Sequence, residues 1–122
     1  MMVLDTNILI YYLKDDKPIS RWLEAMVLKG EHFAGSTITV AELLGYTKIT
    51  NEQTFLIEQI LRTLVLVDVD LMVAREAARL RRIYRFKTVD SIIAATAVLL
   101  HAPLVTRDAV FKKLRGCRII TP

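Results

Sequence analysis

The sequence contains few residues of the kinds that form disulfides or bind zinc. It has one cysteine, Cys117, and two histidines, His32 and His101, which lie far apart in the chain. A single cysteine cannot form an internal disulfide, and two separated histidines lack the spacing of a structural zinc site. We therefore expect a fold that depends on neither cross-links nor zinc, in a reducing compartment.

Long apolar runs are also missing. The longest, Ile92–Leu100, is much shorter than the roughly 20 residues that cross a bilayer. The first residues, Met1–Asp5, carry no basic segment and reach an acid at once, unlike a secretory signal peptide. These absences predict a soluble, cytoplasmic protein that does not associate with membranes.

Length and composition fit one domain over residues 1–122. Of the 122 residues, 53% are hydrophobic, which is enough for a single core. No repeat, linker or low-complexity segment interrupts the chain. The net charge of +4 and an isoelectric point near 9.4 favour a polyanionic partner such as nucleic acid.

Strand-like apolar runs alternate with helix-like amphipathic segments along the chain. The predicted strands are residues 2–5, 32–36, 64–67, 104–105 and 117–120. The predicted helices are residues 6–14, 19–29, 37 or 39 to 44, 51–63, 70–85, 91–100 and 109–114. Strands separated by helices indicate a parallel sheet with right-handed crossovers. The predicted fold class is α/β, a three-layer α/β/α sandwich with a central parallel sheet of four to five strands.

The side-chain pattern also predicts finer features of three helices. Thr37 or Thr39 is expected to cap the third helix, and Thr88 the apolar helix that follows it later in the chain. The helix over residues 51–63 is expected to turn four apolar side chains inward. These are Phe55, Leu56, Ile60 and Leu61.

Four carboxylates stand where strand-like runs give way to helix-like ones, or within the first turns of those helices. They are Asp5, Glu42, Asp90 and Asp108. The carboxyl ends of parallel strands border the crevice in which ligands bind, so these acids are expected to converge. Two unit charges about 4–5 Å apart repel by roughly 3–4 kcal/mol at an effective dielectric near 20. Such a cluster favours a divalent cation, Mg²⁺ or Mn²⁺, and an anionic substrate.

Each acid also has an ordinary structural explanation. Asp5 and Asp108 can cap the helices that follow them, and Asp90 can interact with the positive end of its helix. Glu42 can be a solvated helix residue. The combination of four acids at one predicted sheet edge is what favours chemistry over capping.

Neutral polar residues flank two of the acids. Thr6 and Asn7 follow Asp5, and Thr106 precedes Asp108 by two residues. We expect them to orient the carboxylates or water around a metal ion. Turn formation and helix capping are the alternative roles.

Basic residues cluster late in the chain, away from the acids in sequence. Arg75, Arg79 and Arg82 fall at i, i+4 and i+7 and so share one face of a predicted helix, while Arg107 adjoins Asp108. These four arginines are expected to bind a polyanionic substrate around the acidic centre. The alternative for the helical stripe is a solvated helix face.

Four motifs occur in order over essentially the whole chain. They are Val3–Asn7, Thr39–Leu43, Val89–Ala97 and Leu104–Asp108. Together they resemble the PIN-domain family, and more narrowly the VapC-type toxins of prokaryotic toxin–antitoxin pairs. The resemblance implies a Mg²⁺- or Mn²⁺-dependent endoribonuclease that cleaves single-stranded RNA to 3′-hydroxyl and 5′-phosphate ends.

The same resemblance implies partners and site roles. Four acids would hold the metal, namely Asp5, Glu42, Asp90 and Asp108. The family usually forms homodimers, and a cognate antitoxin neutralises it by reaching into the acidic site.

Other functions remain open from the residues. The same four acids would serve a DNA nuclease, or an RNA-processing nuclease without an antitoxin. A non-catalytic partner-binding module is a second alternative, with the helix over residues 51–63 as its interface. A phosphatase with an aspartyl nucleophile is disfavoured, because Asp5-Thr6-Asn7 lacks a second aspartate two residues on.

Overall fold

A five-stranded parallel sheet forms the centre of the protein. The computed structural model describes residues 1–122, and the strands lie side by side in the order β3-β2-β1-β4-β5. The strands are β1 Met2–Leu4, β2 Phe33–Ser36, β3 Val65–Val67, β4 Leu104–Val105 and β5 Ile119–Ile120. The predicted strands are therefore all present, each shortened by up to two residues except the fourth. The predicted α/β fold class is confirmed.

Helices cover both faces of the sheet. They are α1 Thr6–Leu13, α2 Lys17–Leu28, α3 Thr37–Leu44, α4 Asn51–Arg62, α5 Leu71–Tyr84 and α6 Thr88–Leu99, followed by a short 3₁₀ helix, Ala109–Lys113. None of these helices combines the length and the apolar character that crossing a membrane requires.

Alternating side chains of the central strands separate two hydrophobic cores. Val3 and Leu104 pack with α5 and α6, whereas the next residues, Leu4 and Val105, pack with α1 to α4. Successive side chains of a strand point to opposite faces, so the two cores lie on opposite sides of the sheet. This arrangement produces the three layers.

Hydrogen bonds align the carboxyl ends of the three middle strands. Val3 of β1 lies beside Ala34 of β2 and Leu104 of β4, and the Asp5 N–H donates to the Val105 carbonyl at 3.0 Å. The residues that directly follow these strands therefore lie along one edge of the sheet.

The predicted helix caps were wrong in two places. The Ser36 hydroxyl, not Thr37 or Thr39, caps α3 by accepting from the Ile38 N–H at 3.1 Å. Strand β2 runs straight into α3, so its last residue already has the extended backbone of an N-cap. Thr88 is the first residue of α6, and Lys87, without a side-chain cap, occupies the cap position.

The predicted inward face of α4 was wrong in part. Phe55 and Leu56 are 62% and 46% exposed, while Ile57 and Leu61 are buried. Ile60 is half-buried against the same core. Because α4 packs mainly on α3, at the margin of the sheet, it buries only a narrow stripe. The spacing of the apolar residues in α4 was compatible with either of two neighbouring faces of the helix being the buried one.

Candidate active site at the carboxyl edge of the sheet

The four predicted acids come from four different elements at the carboxyl edge. Asp5 follows β1, Glu42 lies in α3, Asp90 in the first turn of α6, and Asp108 between β4 and the 3₁₀ helix. Asp108 also caps that short helix, since its Oδ1 accepts from the Val110 N–H at 3.0 Å. Asp5 occupies the cap position of α1 but makes no side-chain capping bond. Capping therefore does not explain the Asp5 carboxylate.

Thr106 holds Asp5 and Asp108 in a fixed relation. Asp5 is only 3% exposed, and its Oδ2 accepts from the Thr106 hydroxyl at 2.8 Å. The oxygen of the same hydroxyl accepts from the Asp108 N–H at 2.9 Å. Thr106, itself fully buried, thus links two of the acids.

A pair of threonines positions Glu42. The Thr6 hydroxyl donates to Glu42 Oε1 at 2.6 Å, and it lies 2.9 Å from the Thr39 hydroxyl. Thr6 has one hydrogen to donate, so Thr39 donates to Thr6. The sequence interpretation considered Thr39 only as a cap and missed this role. Its position three residues before Glu42, on the same helix face, was the available signal.

The acids influence one another electrostatically. Burial raises the pKa of Asp5 from 3.8 to about 6, against the Thr106 hydrogen bond that lowers it, and the charges of Asp90, Asp108 and Glu42 raise it further. Burial also raises the pKa of Asp90, with the charges of Asp108 and Glu42 adding to the effect and Lys87 opposing it. The four carboxylates therefore lie near enough to one another for their charges to interact.

No cation neutralises this cluster by direct contact. The three salt bridges of the protein join the N-terminal amine to Glu31, Arg79 to Glu76, and Arg107 to Asp16. Lys87 is the only basic residue among the groups that influence Asp5 or Asp90. Asp5 is buried, Asp90 half-buried, and Glu42 and Asp108 are exposed. Carboxylates without a cationic partner have the chemistry expected of ligands for a hard divalent ion.

The carboxylates are not pre-arranged as a closed metal cage. No three His, Cys, Asp or Glu side chains stand close enough together to hold one ion directly. Mg²⁺ commonly binds one or two carboxylates, keeps several waters and takes its remaining ligands from a substrate phosphate. The donor set fits this mode of binding, in which some acids act through water.

The remaining predicted site residues occupy different surroundings. Asn7 is exposed in the first turn of α1. Arg107 binds Asp16 through two hydrogen bonds and stacks on the Tyr11 ring at 4.8 Å, so it ties the turn after α1 to the end of β4.

The three arginines of the predicted stripe on α5 have different surroundings. Arg79 is paired with Glu76, and Arg75 is exposed. Arg82 lines a surface pocket together with Arg81 and Arg85. Arg81 and Arg85 belong to the same late basic cluster of the sequence but lie off the predicted stripe.

An apolar groove adjoins the acidic cluster at Glu42. It has a volume of about 560 Å³ and runs between α1, α3 and the start of α4. Its lining is mostly hydrophobic and includes Ile10, Leu13, Leu43, Tyr46, Leu56 and Ile57. The sequence interpretation did not predict this groove, because its walls come from three helices that are separate in the chain.

Comparisons with known proteins agree with this architecture. A toxin–antitoxin complex from Klebsiella pneumoniae contains a chain that is 31% identical, with a TM-score of 0.85 over 100% of this chain and 98% of that one. VapBC-5 from Mycobacterium tuberculosis, a member of the VapBC family of toxin–antitoxin systems, matches at 26% identity and a TM-score of 0.73, over 99% and 98% of the two chains. FitAcB from Neisseria gonorrhoeae matches at 25% identity and a TM-score of 0.80, over 98% and 96%.

The family comparison covers nearly the whole chain. No curated protein matches the sequence. The model of the PIN domain matches residues 2–116. The resemblance to VapC-type toxins is confirmed, since two of the three similar structures above come from toxin–antitoxin systems. The chain belongs to the PIN-domain family.

Proposed function

We propose that this protein is a metal-dependent endoribonuclease that hydrolyses single-stranded RNA, and that it is the toxin of a VapBC-type toxin–antitoxin pair. The observation that carries the proposal is the cluster around Asp5. This buried carboxylate has a hydroxyl as its hydrogen-bond partner, has three further acids around it, and has no salt bridge. Membership of the PIN-domain family supports a nuclease.

The protein residues would each have a defined part in the reaction. Bound Mg²⁺ or Mn²⁺ would supply an activated water and would neutralise charge on the phosphodiester. Asp5, Asp90 and Asp108 would hold the ion directly or through water, and Glu42 would complete the site. Thr106 and Thr6 would keep the Asp5 and Glu42 carboxylates in place by the hydrogen bonds already formed.

A cognate antitoxin is the proposed protein partner. The apolar groove beside Glu42 has the size and lining of a site for an apolar segment. An antitoxin segment seated there would reach the acids and block access of RNA. The toxin–antitoxin complexes among the similar structures support this partner.

We also propose that the protein forms a homodimer and acts in the cytoplasm, where its RNA substrate is found. Strand β3 is an edge strand whose Val65 and Leu66 are 48% and 39% exposed, and Leu71 and Met72 at the start of α5 are 64% and 66% exposed. Exposed apolar side chains on a sheet edge favour association with another chain.

The alternative functions predict different substrates. A PIN nuclease without an antitoxin would process RNA or cut DNA, and a partner-binding module would cut neither. The purified protein should be incubated with one single-stranded RNA, the matching single-stranded DNA and the duplex DNA, each with Mn²⁺, Mg²⁺ or EDTA. We expect cleavage of the RNA with either metal and none in EDTA.

The Asp90→Asn variant tests whether the acidic cluster is responsible. We expect its cleavage rate to fall by at least a hundredfold, because the substitution removes a proposed metal ligand. Glu24→Gln, at an exposed position of α2, removes one acid elsewhere and should cleave normally. Full activity in Asp90→Asn, or cleavage of DNA in preference to RNA, would overturn the proposal.

A further inference from the structure

Three arginines converge on one surface pocket outside the acidic cluster. Arg81, Arg82 and Arg85, with Ala78 and Phe86, line a pocket of about 490 Å³ at the end of α5. No acidic residue contributes to its lining, and none of the three arginines takes part in a salt bridge. The site therefore has an uncompensated positive charge.

The pocket is ordered by contacts that leave the cationic groups available. Arg81 Nε donates to the Phe86 carbonyl at 3.3 Å, which fixes this guanidinium against the connection between α5 and α6. The Phe86 ring is buried and packs on Phe111, with ring centres 5.7 Å apart. Lys113 Nζ lies 5.1 Å from the centre of the same ring and adds a fourth positive charge beside the pocket.

A structural role for last-turn arginines does not explain the convergence. Arg81 and Arg82 lie in the last turn of α5, where a positive charge stabilises the helix dipole. Arg62 has the same position in α4 and does not line this pocket. Arg85 lies beyond the helix in the left-handed region, with φ of 59°, and still lines the pocket.

The pocket is connected to the acidic cluster through a short chain segment. Arg85 and Asp90 are five residues apart, and five residues span at most about 18 Å. Lys87 lies between them, and its charge acts on Asp90. A phosphate bound by the arginines would therefore lie within a few nucleotides of a phosphodiester at the acids.

We infer that Arg81, Arg82 and Arg85 form a phosphate-binding cradle that holds the backbone of single-stranded RNA beside the cleavage site. The inference rests on the proposed function for its choice of RNA. Planar guanidinium groups bind phosphate oxygens in pairs, and three of them line this shallow, open surface pocket, where a nucleic-acid backbone can reach them. Of the three arginines on the predicted helical stripe, the cradle includes only Arg82.

Binding and cleavage are measured separately to test this inference. Fluorescence anisotropy with a labelled 12-nucleotide RNA in EDTA reports binding by the intact protein without cleavage. For Arg82→Ala/Arg85→Ala we expect the Kd to rise roughly tenfold or more at low salt, and the slope of log Kd against log salt to fall by about 1.4, because each phosphate contact on a single strand contributes about 0.7. Arg21→Ala/Arg62→Ala, exposed positions on α2 and α4, removes the same charge and should retain the wild-type slope.

A second variant excludes misfolding as the cause. Arg82→Gln/Arg85→Asn keeps polar side chains, and asparagine accepts the left-handed backbone at position 85. It should melt like the wild type and lose RNA binding as the alanine variant does. Wild-type binding by this variant, an equal loss in the control pair, or no RNA binding by the wild type would overturn the cradle.

Other ligands give distinguishable results. Stronger binding of duplex DNA than of RNA, or equal competition by polyglutamate, would also overturn the assignment to single-stranded RNA. Binding that depends on the cradle without cleavage in Mn²⁺ would contradict the nuclease and support the cradle. RNA cleavage in Mn²⁺, together with wild-type RNA binding by the cradle variants, would support the nuclease and contradict the cradle.

Discussion

At the scale of single residues, Asp5 makes folding less favourable at neutral pH in the absence of metal. Its pKa is about 6 in the folded protein and 3.8 ordinarily, so between these values the folded state binds more protons than the unfolded state. Stability therefore falls as the pH rises from about 4 to 6. Each pKa unit corresponds to about 1.4 kcal/mol, so the total effect is about 3 kcal/mol.

Asp5→Asn should remove this pH dependence. We expect the metal-free variant to be more stable than the wild type by about 3 kcal/mol at pH 7.5 and equally stable below about pH 4, because asparagine carries no charge to bury. Urea unfolding across this pH range measures the difference. Glu24→Gln serves as the control, and a variant that follows the wild-type curve would contradict the burial of a charged Asp5.

Thr106 provides a second prediction at this scale. Thr106→Val removes the hydroxyl that donates to Asp5 and accepts from the Asp108 N–H, while keeping the shape of the side chain. Loss of such an orienting group typically weakens metal binding 10- to 100-fold, and we expect that range for Mn²⁺ in calorimetric titration.

The matched control for Thr106→Val is Thr96→Val. Thr96 is also buried, but its hydroxyl donates to the Ile92 carbonyl within α6. The Thr96→Val variant should be less stable than the wild type and should bind Mn²⁺ with unchanged affinity. Equal Mn²⁺ affinity in both variants would show that Thr106 does not organise the metal site.

At the scale of elements, the burial stripe of α4 separates its core residues from its solvent-exposed apolar residues. Ile57 is 5% exposed, whereas Phe55 is 62% exposed. Ile57→Ala should lower the free energy of unfolding by about 2–4 kcal/mol, because it leaves a cavity. Phe55→Ala should change it by less than about 0.5 kcal/mol. Chemical denaturation measures both, and similar losses would contradict the observed orientation of the helix.

How much could be predicted differs between strands, helices and the site. Buried parallel strands have continuous apolar runs, so Met2–Leu4 and Leu104–Val105 were recognisable from the sequence alone. The convergence of the acids followed from the rule that ligands bind at the carboxyl ends of strands. The face of α4 could not be predicted, since it depends on which neighbour the helix packs against.

Contacts between distant residues were the least predictable part of the site. Thr39 reaches Glu42 through Thr6, 33 residues earlier in the chain, and Arg107 reaches Asp16 across 91 residues. Nothing local in the sequence indicates such partners. The same limit applies to the arginine pocket, because Arg85 joins it only through the left-handed turn after α5.

At the scale of the whole molecule, metal binding and folding should be coupled. The folded protein assembles carboxylates from four elements into one cluster that no salt bridge neutralises, whereas the unfolded chain does not assemble them. A ligand that binds only the folded state stabilises it by about 2.7 kcal/mol at a concentration of 100 Kd. For a protein of this length, that corresponds to a rise in Tm on the order of 10 °C.

Thermal melts in Mn²⁺ and in NaCl of equal ionic strength test this coupling. The Tm of the wild type should rise with Mn²⁺ and not with NaCl, because Mn²⁺ occupies a site and also relieves repulsion among the acids. Asp5→Asn should begin with a higher Tm without metal and gain much less from Mn²⁺, since it has lost both the repulsion and a ligand. Glu24→Gln should respond like the wild type. Equal responses to Mn²⁺ in the wild type and Asp5→Asn would mean that the ion binds elsewhere, and the acidic cluster would then not be the metal site.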